Sequence, residues 1–376
     1  MIEQQIKKED LAPLKWWHTQ VNNSEELEMI KYCFEHEYFT LGPITQKLEE
    51  NLENILKVPH VVATNSGTSA LEIALLASGI EKDDEVIVPD LTWIATGQAI
   101  KILGAEPVLV DCLYDTPLID MSEVKKKITS KTKAIIPVHL NGRSCNMDEL
   151  LEIREKHGIS IIEDACKAFT SKTPRGYLGT IGDAGCFSTG IIGLFSVGGY
   201  GGFIATRNNE LYEKIILTRD HGVHRGRKEK LDIMGGNFKI SDILSGIGLV
   251  QLSRLKEKRE HVNRIYGEYV KGLADLDYLK VIPVSAPDEI SLMQDVRSKY
   301  KEQIIDYLYE NNVGTSRFHI PMHRARYFGN YADSDFPNST MFSNEGFVLP
   351  SGPSQPLENV YRCIELLHKF KPMKEN

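Results

Sequence analysis

Short runs rich in Val and Ile recur along the chain at 86–88, 107–110, 134–138 and 159–162, each separated from the next by one helical pattern. Runs of this length are strands, and their near-continuous hydrophobicity is that of strands covered on both faces. The helical patterns between them cover about 67–78, 93–103, 122–129 and 147–157. Several close on a glycine at the stop position, as with Gly79, Gly104 and Gly158. One helix between successive strands implies right-handed crossovers and a mainly parallel sheet. The expected fold is therefore a three-layer α/β/α unit with a mainly parallel sheet, preceded by an amphipathic helix near 44–56.

With 376 residues the chain has room for two or three domains. A long helical pattern over 241–273 loses its apolar spacing in the charged run 254–260, as a helix does when it leaves one domain for another. Beyond it, strands near 279–283 and 313–318 and helices near 299–311 and 357–369 suggest a smaller C-terminal α+β domain. The expected division is 1–255, including the N-terminal segment, and 256–376.

Charge and cysteine content narrow the partners. Forty-four basic residues against 52 acidic ones leave a net charge of −8, the opposite of the footprint that neutralises a phosphate backbone, so no nucleic acid is expected. Six cysteines form neither a CxxC pair nor a disulfide scaffold, and the first residues carry acids, lysines and a proline where an export signal needs an apolar core. A cytoplasmic protein is the expectation. Residues 184–206 carry no charge and are long enough to span a bilayer, but seven of them are glycine, which disfavours a helix. Two short buried strands around a glycine-rich loop fit better, and no membrane association is expected.

In open α/β sheets ligands sit beyond the carboxyl ends of the strands. TNSGTSAL at 64–71 runs a polar turn into a helix, where Gly67 and the hydroxyls of Ser66 and Thr68 form either a phosphate seat or a plain cap. IIEDACKA at 161–168 ends a strand in Glu163 and Asp164. A carboxylate there can hold a metal, a ribose hydroxyl or the protonated nitrogen of a heteroaromatic ring, or simply face solvent; no metal-ligand companions lie at useful spacing. Trp93, just past a strand end, either stacks on a flat cofactor or belongs to the core. GGYGG at 198–202 lacks the setting of a dinucleotide fingerprint, and no GxxxxGK[ST] occurs. A phosphate seat, an acid for a ring nitrogen and a flat stacker together are what pyridoxal phosphate requires.

The order and wording of these segments resemble the DegT/StrS-type sugar aminotransferases, a family of fold type I architecture. The likeness runs through FTLGPITQKLEENL (39–52), TNSGTSALEIAL (64–75), DDEVIVPDLTWIAT (83–96), IPVHLNGRSCNMDEL (136–150), IIEDACKA and GDAGCFS (182–188). It continues through HGVHRGR (221–227), GGNFKISDILSGIGLVQL (235–252), HIPMH (319–323) and LPSGPS (349–354). The resemblance implies that Gly67, Thr68 and Ser188 hold the cofactor phosphate, Trp93 stacks on the ring and Asp164 pairs with the pyridine nitrogen. Asn237 matches an asparagine that reaches the phosphate from a neighbouring subunit, which implies a homodimer with shared active sites. Substrates in the family are nucleotide-linked keto sugars, aminated from glutamate by way of pyridoxamine phosphate, for polysaccharides and other glycosylated products.

One family element is missing. Transamination uses a lysine to form an imine with the cofactor and to move a proton. Counting from Cys186 places it at Gly193, counting back from Gly201 at Leu194, and no lysine occurs between Lys172 and Lys214. The related 3-dehydratases carry histidine there and bind the cofactor without a covalent link, but this chain has no histidine between His157 and His221. Lys167, three residues after Asp164, is the leading substitute: its amine can pair with the cofactor's phenolic oxygen or reach the aldehyde carbon. His139, His319 and His323 are weaker candidates, the last two toward substrate. Three readings follow: an enzyme that holds pyridoxal or pyridoxamine phosphate non-covalently and uses a non-standard base, with 3-dehydratase-like chemistry as a variant; a silent partner or regulatory subunit; or a pocket reused for another phosphorylated ligand.

Overall fold

The computed structural model describes residues 14–18, 24–223 and 233–373. The start of the chain, read above for an export signal, and the 224–227 end of HGVHRGR lie outside these residues. In chain order come β1 (His60–Thr64), β2 (Glu85–Pro89), β3 (Glu106–Val110), β4 (Thr132–Ile135) and β5 (Ser160–Asp164). A short hairpin of β6 (Lys172–Thr173) and β7 (Gly176–Tyr177) follows, and then β8 (Ala184–Ser188) and β9 (Gly202–Thr206). Seven of them form one sheet in the order β1-β9-β8-β5-β4-β2-β3. Only β9 runs against its neighbours, β1 and β8; the other pairings are parallel. The expected three-layer, mainly parallel architecture is what forms.

Alternation along each strand builds the layers. In β2, Val86 and Val88 join one buried cluster with Ile73, Ala74 and Ile100, from helices Gly67–Ala77 and Ala95–Ile102. Ile87 joins another on the opposite face, with Val124, Leu150 and Ile153 from helices Met121–Lys127 and Met147–His157. The uncharged 184–206 segment folds as two antiparallel buried strands around a glycine-rich loop, and among the described residues no helix is long and apolar enough to cross a membrane.

A second, antiparallel sheet contains β10 (Lys280–Val281), β11 (Gln294–Arg297), β12 (Ser316–Arg317) and β13 (Gly346–Leu349), in the order β10-β11-β13-β12. Helices Leu255–Gly272, Lys301–Glu310 and Leu357–Lys369 pack on it through Ile265, Tyr269, Ile304, Leu308, Val360 and Leu367. The expected long helix over 241–273 is two helices, Asp242–Ser253 and Leu255–Gly272, broken at Arg254. The N-terminal segment does not join the large sheet: Leu14 bridges Val313, Trp17 bridges Ser351, and the Gly314 N–H donates to the Leu14 carbonyl at 2.7 Å. We propose the division at 255/256 for the body of the chain, with 14–18 counted in the smaller unit rather than in 1–255.

A fully buried ion pair ties the two sheets together. Arg143 follows β4; its Nη1 donates to Asp295 Oδ2 on β11 at 2.6 Å, and its other nitrogens donate to the Pro283 and Ile282 carbonyls at 2.8 and 3.0 Å. Asn141 Nδ2 donates to both Asp295 oxygens, at 2.9 and 2.8 Å. Removing one partner leaves a charge buried without compensation. Asp295→Ala is expected to lower unfolding stability by about 3–5 kcal/mol, read as a drop in the urea midpoint with little change in slope.

Candidate active site

The adjacent carboxylates at the end of β5 point to opposite faces, because side chains alternate along a strand. Glu163 is fully buried away from the cavity. Its Oε2 accepts from Gly179 N and His139 Nε2, both at 2.8 Å, and its Oε1 from Ile181 N and Gly182 N at 2.7 and 2.6 Å. Asp164 faces the other way, into a cavity of about 660 Å³ beyond the carboxyl ends of the strands. Its Oδ2 accepts from Thr96 Oγ1 at 2.8 Å and its Oδ1 from Cys166 N at 3.1 Å.

One wall of the cavity is the start of helix Gly67–Ala77. Ser66 is the cap: its hydroxyl accepts from Ser69 N at 3.0 Å. The N–H groups of Gly67 and Thr68 have no acceptor among the described residues, as befits the first turn of a helix. Gly67 is pressed against the end of β8; a Cβ there would lie 2.9 Å from both Cys166 Sγ and Ser188 Cβ. Ser66, Gly67, Thr68 and Ser188 all line the cavity. Trp93 is 65% exposed, so it is a lining residue and not core, and its ring meets His319 edge-on at 6.2 Å.

Lys167 also lines the cavity and donates through Nζ to the Ile192 carbonyl in the glycine-rich loop. Burial holds its ammonium below the ordinary lysine range. Across from it, His319 is pushed down to about 4 by loss of water and by the Lys167 charge.

With this geometry in place, comparison with known proteins is decisive. The sequence profile of the DegT/DnrJ/EryC1/StrS aminotransferase family matches residues 20–368. The chain belongs to that family. A GDP-perosamine synthase of Escherichia coli O157:H7 is 31% identical over 352 residues, which span 92% of this chain and 95% of that protein. The crystal structure of S. venezuelae DesV in complex with a ketimine intermediate matches with a TM-score of 0.87 at 28% identity, over 92% of this chain and 94% of that one. Bacillus subtilis NtdA with bound cofactor PMP matches with a TM-score of 0.84 at 29% identity, over 93% and 82%.

In this member of the DegT/DnrJ/EryC1/StrS family not every residue singled out in the sequence sits where it can act. His139 borders the cavity but has no free ring nitrogen: Nδ1 accepts from Cys145 N at 3.2 Å and Nε2 faces Glu163. It is a poor base. His323 lies outside the cavity lining, held by Asp90 Oδ2 on Nδ1 at 2.6 Å and Asp333 Oδ1 on Nε2 at 2.9 Å, with its ring stacked on Phe336. That packing leaves it no free ring nitrogen. Asn237 is exposed and does not line its own chain's cavity; its carbonyl accepts from Asn65 Nδ2 at 3.4 Å. Gly193 is part of the glycine-rich loop and Leu194 is core, 3% exposed.

Sequence reasoning missed Thr96, Cys166, Tyr200 and Arg317, all of which line the cavity. Arg317 is clamped by Glu302, with Nη2 2.6 Å from Oε2. Thr96 lies 68 residues from the Asp164 it orients, a distance across which no local pattern carries a signal. Among the described residues no group of His, Cys, Asp or Glu is arranged to hold a metal ion.

The His319 shift is testable. An unfolded histidine takes its proton near 6.5, whereas this one resists until about 4, so its contribution to stability is complete above 6.5 and declines as pH falls through that window. In an NMR titration the His319 ring signals should stay flat from pH 8 to about 5 and move only near 4. Lys167→Met should shift that titration upward.

Proposed function

We propose that this chain is an aminotransferase-type enzyme that uses pyridoxal or pyridoxamine phosphate on a nucleotide-linked keto sugar, with glutamate as amino donor. The observation that carries the cofactor reading is a buried carboxylate, Asp164, opposite an open helix N-terminus at Gly67 and Thr68 in one cavity. The residues fit the group. The helix start supplies unpaired N–H donors and the hydroxyls of Ser66, Thr68 and Ser188 for a phosphate, and the absence of a Cβ at Gly67 is what lets that seat close against β8. When bound, the cofactor supplies an electron sink that lets an amino group pass between carbons. Asp164, held in place by the Thr96 hydroxyl and the Cys166 N–H, would keep a ring nitrogen protonated, and Trp93 would cover the ring at the open side of the cavity.

The substrate class follows the relatives: the E. coli protein is named for GDP-perosamine, and a relative from Streptomyces venezuelae for transamination of a dTDP-linked amino sugar. Asn237, exposed and outside its own cavity, suits a role in the site of a second copy, so a homodimer with shared sites is part of the reading. A cytoplasmic location accords with it. The lack of any lysine between Lys172 and Lys214 favours a second reading, a cofactor-binding subunit without turnover or one that removes a hydroxyl as 3-dehydratases do.

The test is direct. The protein is titrated with pyridoxal and pyridoxamine phosphate by fluorescence, then incubated with nucleotide-linked keto sugars and glutamate, and products are identified by mass spectrometry. Binding with amination supports the main reading, loss of a hydroxyl supports dehydration, and binding without any product supports the silent subunit. Asp164→Asn is expected to weaken cofactor binding about 10- to 100-fold, the loss of a charge-assisted hydrogen bond worth about 1.5–3 kcal/mol. Unchanged affinity in that variant would remove Asp164 from the site.

A further inference from the structure

Among the described residues lining the cavity, Lys167 carries the only primary amine. It leaves the chain three residues after Asp164 and reaches the glycine-rich loop, where Nζ donates to the carbonyl of Ile192. That carbonyl stands one residue before Gly193, the position at which the family resemblance places its lysine. A different strand end thus delivers a lysine nitrogen to the segment that has none. We infer that Lys167 is the amine that joins the cofactor aldehyde in this site, reached from the β5 turn instead of from the β8–β9 loop. The inference rests on the cofactor reading above, and it replaces the non-covalent cofactor that the missing lysine suggested.

The surroundings suit the chemistry. An amine adds to an aldehyde only when it is unprotonated. Burial disfavours the Lys167 ammonium, and the only hydrogen-bond partner it has among the described residues is the neutral Ile192 carbonyl. His319 nearby is held neutral and adds no positive charge. The unprotonated Nζ adds to the aldehyde carbon, both of its hydrogens leave with the aldehyde oxygen as one water, and a C=N bond replaces the C=O bond. No oxidant or reductant is consumed. Other nucleophiles are worse placed: the Cys166 thiol is pushed well up by burial and by Asp164, and a histidine cannot form an imine.

The experiment uses the full chain and pyridoxal phosphate. Binding is measured by equilibrium dialysis, the complex is reduced with borohydride, and the digested protein is mapped by mass spectrometry. The expected result is one pyridoxyl adduct on Lys167, lost in Lys167→Arg, which keeps the cation and its reach but forms no imine. Pyridoxamine phosphate, which has no aldehyde, should give no adduct on the wild-type protein after the same borohydride treatment. Bound cofactor with no adduct on Lys167, or an adduct on another lysine, overturns the inference and leaves the cofactor reading standing. Failure of both cofactor forms to bind overturns both. Should the arginine variant not fold by circular dichroism, the adduct map of the wild-type protein alone decides.

Discussion

Glu163 holds the site together without entering it. A carboxylate sunk in apolar surroundings is costly unless its lone pairs are taken, and here four N–H donors take them. Those donors come from His139 after β4 and from the 179–182 turn before β8, so one side chain on β5 locks two connections to each other. The packing is correspondingly tight. A Cβ at Gly185 would fall 1.9 Å from the Gly179 carbonyl, and Gly179 itself sits at φ +84° with Phe187 against it. With Glu163 anchored on one face, strand alternation leaves Asp164 only the other, which is the cavity. His139, a tempting base in the sequence, is consumed by this anchoring.

The uncharged 184–206 segment acquires a different meaning from its surroundings. It lacks charge because most of it is core: Phe187, Leu194, Phe195, Val197 and Phe203 are all buried. Its glycines serve close approach at chosen points; a Cβ at Gly202 would sit 2.5 Å from the Ser66 carbonyl, so β9 and the phosphate-seat turn touch backbone to backbone. Trp17 Nε1 closes the loop from outside by donating to the Ile191 carbonyl at 3.0 Å, which couples the N-terminal segment and the smaller sheet to the cavity wall. The same loop receives Lys167 on its inner side. The loop carries no lysine of its own, and the amine that reaches it comes from the β5 turn.

The boundary between the two sheets combines apolar packing, through Ile282, Leu292, Phe318 and Val348, with a buried polar network. Arg143, Asn141 and Asp295 form a closed network there, with the guanidinium also spanning two backbone carbonyls. A planar, multiply bonded cation tolerates little displacement, so the smaller sheet is held at a defined angle over the cavity. It is this sheet that brings Ser316, Arg317, Phe318 and His319 to the opening. The cavity is thus completed by residues more than 100 positions from the strand that carries Asp164.

Local pattern sufficed for most of the large sheet. The Val/Ile runs became β2 to β5, the glycine stops Gly79, Gly104 and Gly158 took positive φ as helix ends do, and Ser66, Gly67, Thr68, Asp164, Ser188 and Lys167 stood at strand ends or helix starts that could be read along the chain. What the chain by itself left unsettled depends on pairings between distant residues: the reversed direction of β9, the attachment of residues 14–18 to the smaller sheet, the engagement of His139 and His323 by carboxylates, and the placing of Thr96 on Asp164. Periodicity and capping are decided within a few residues by backbone geometry. Which carboxylate a histidine meets, or which loop a lysine reaches, is decided only when packing brings separate strand ends to one edge, and no spacing along the chain encodes that.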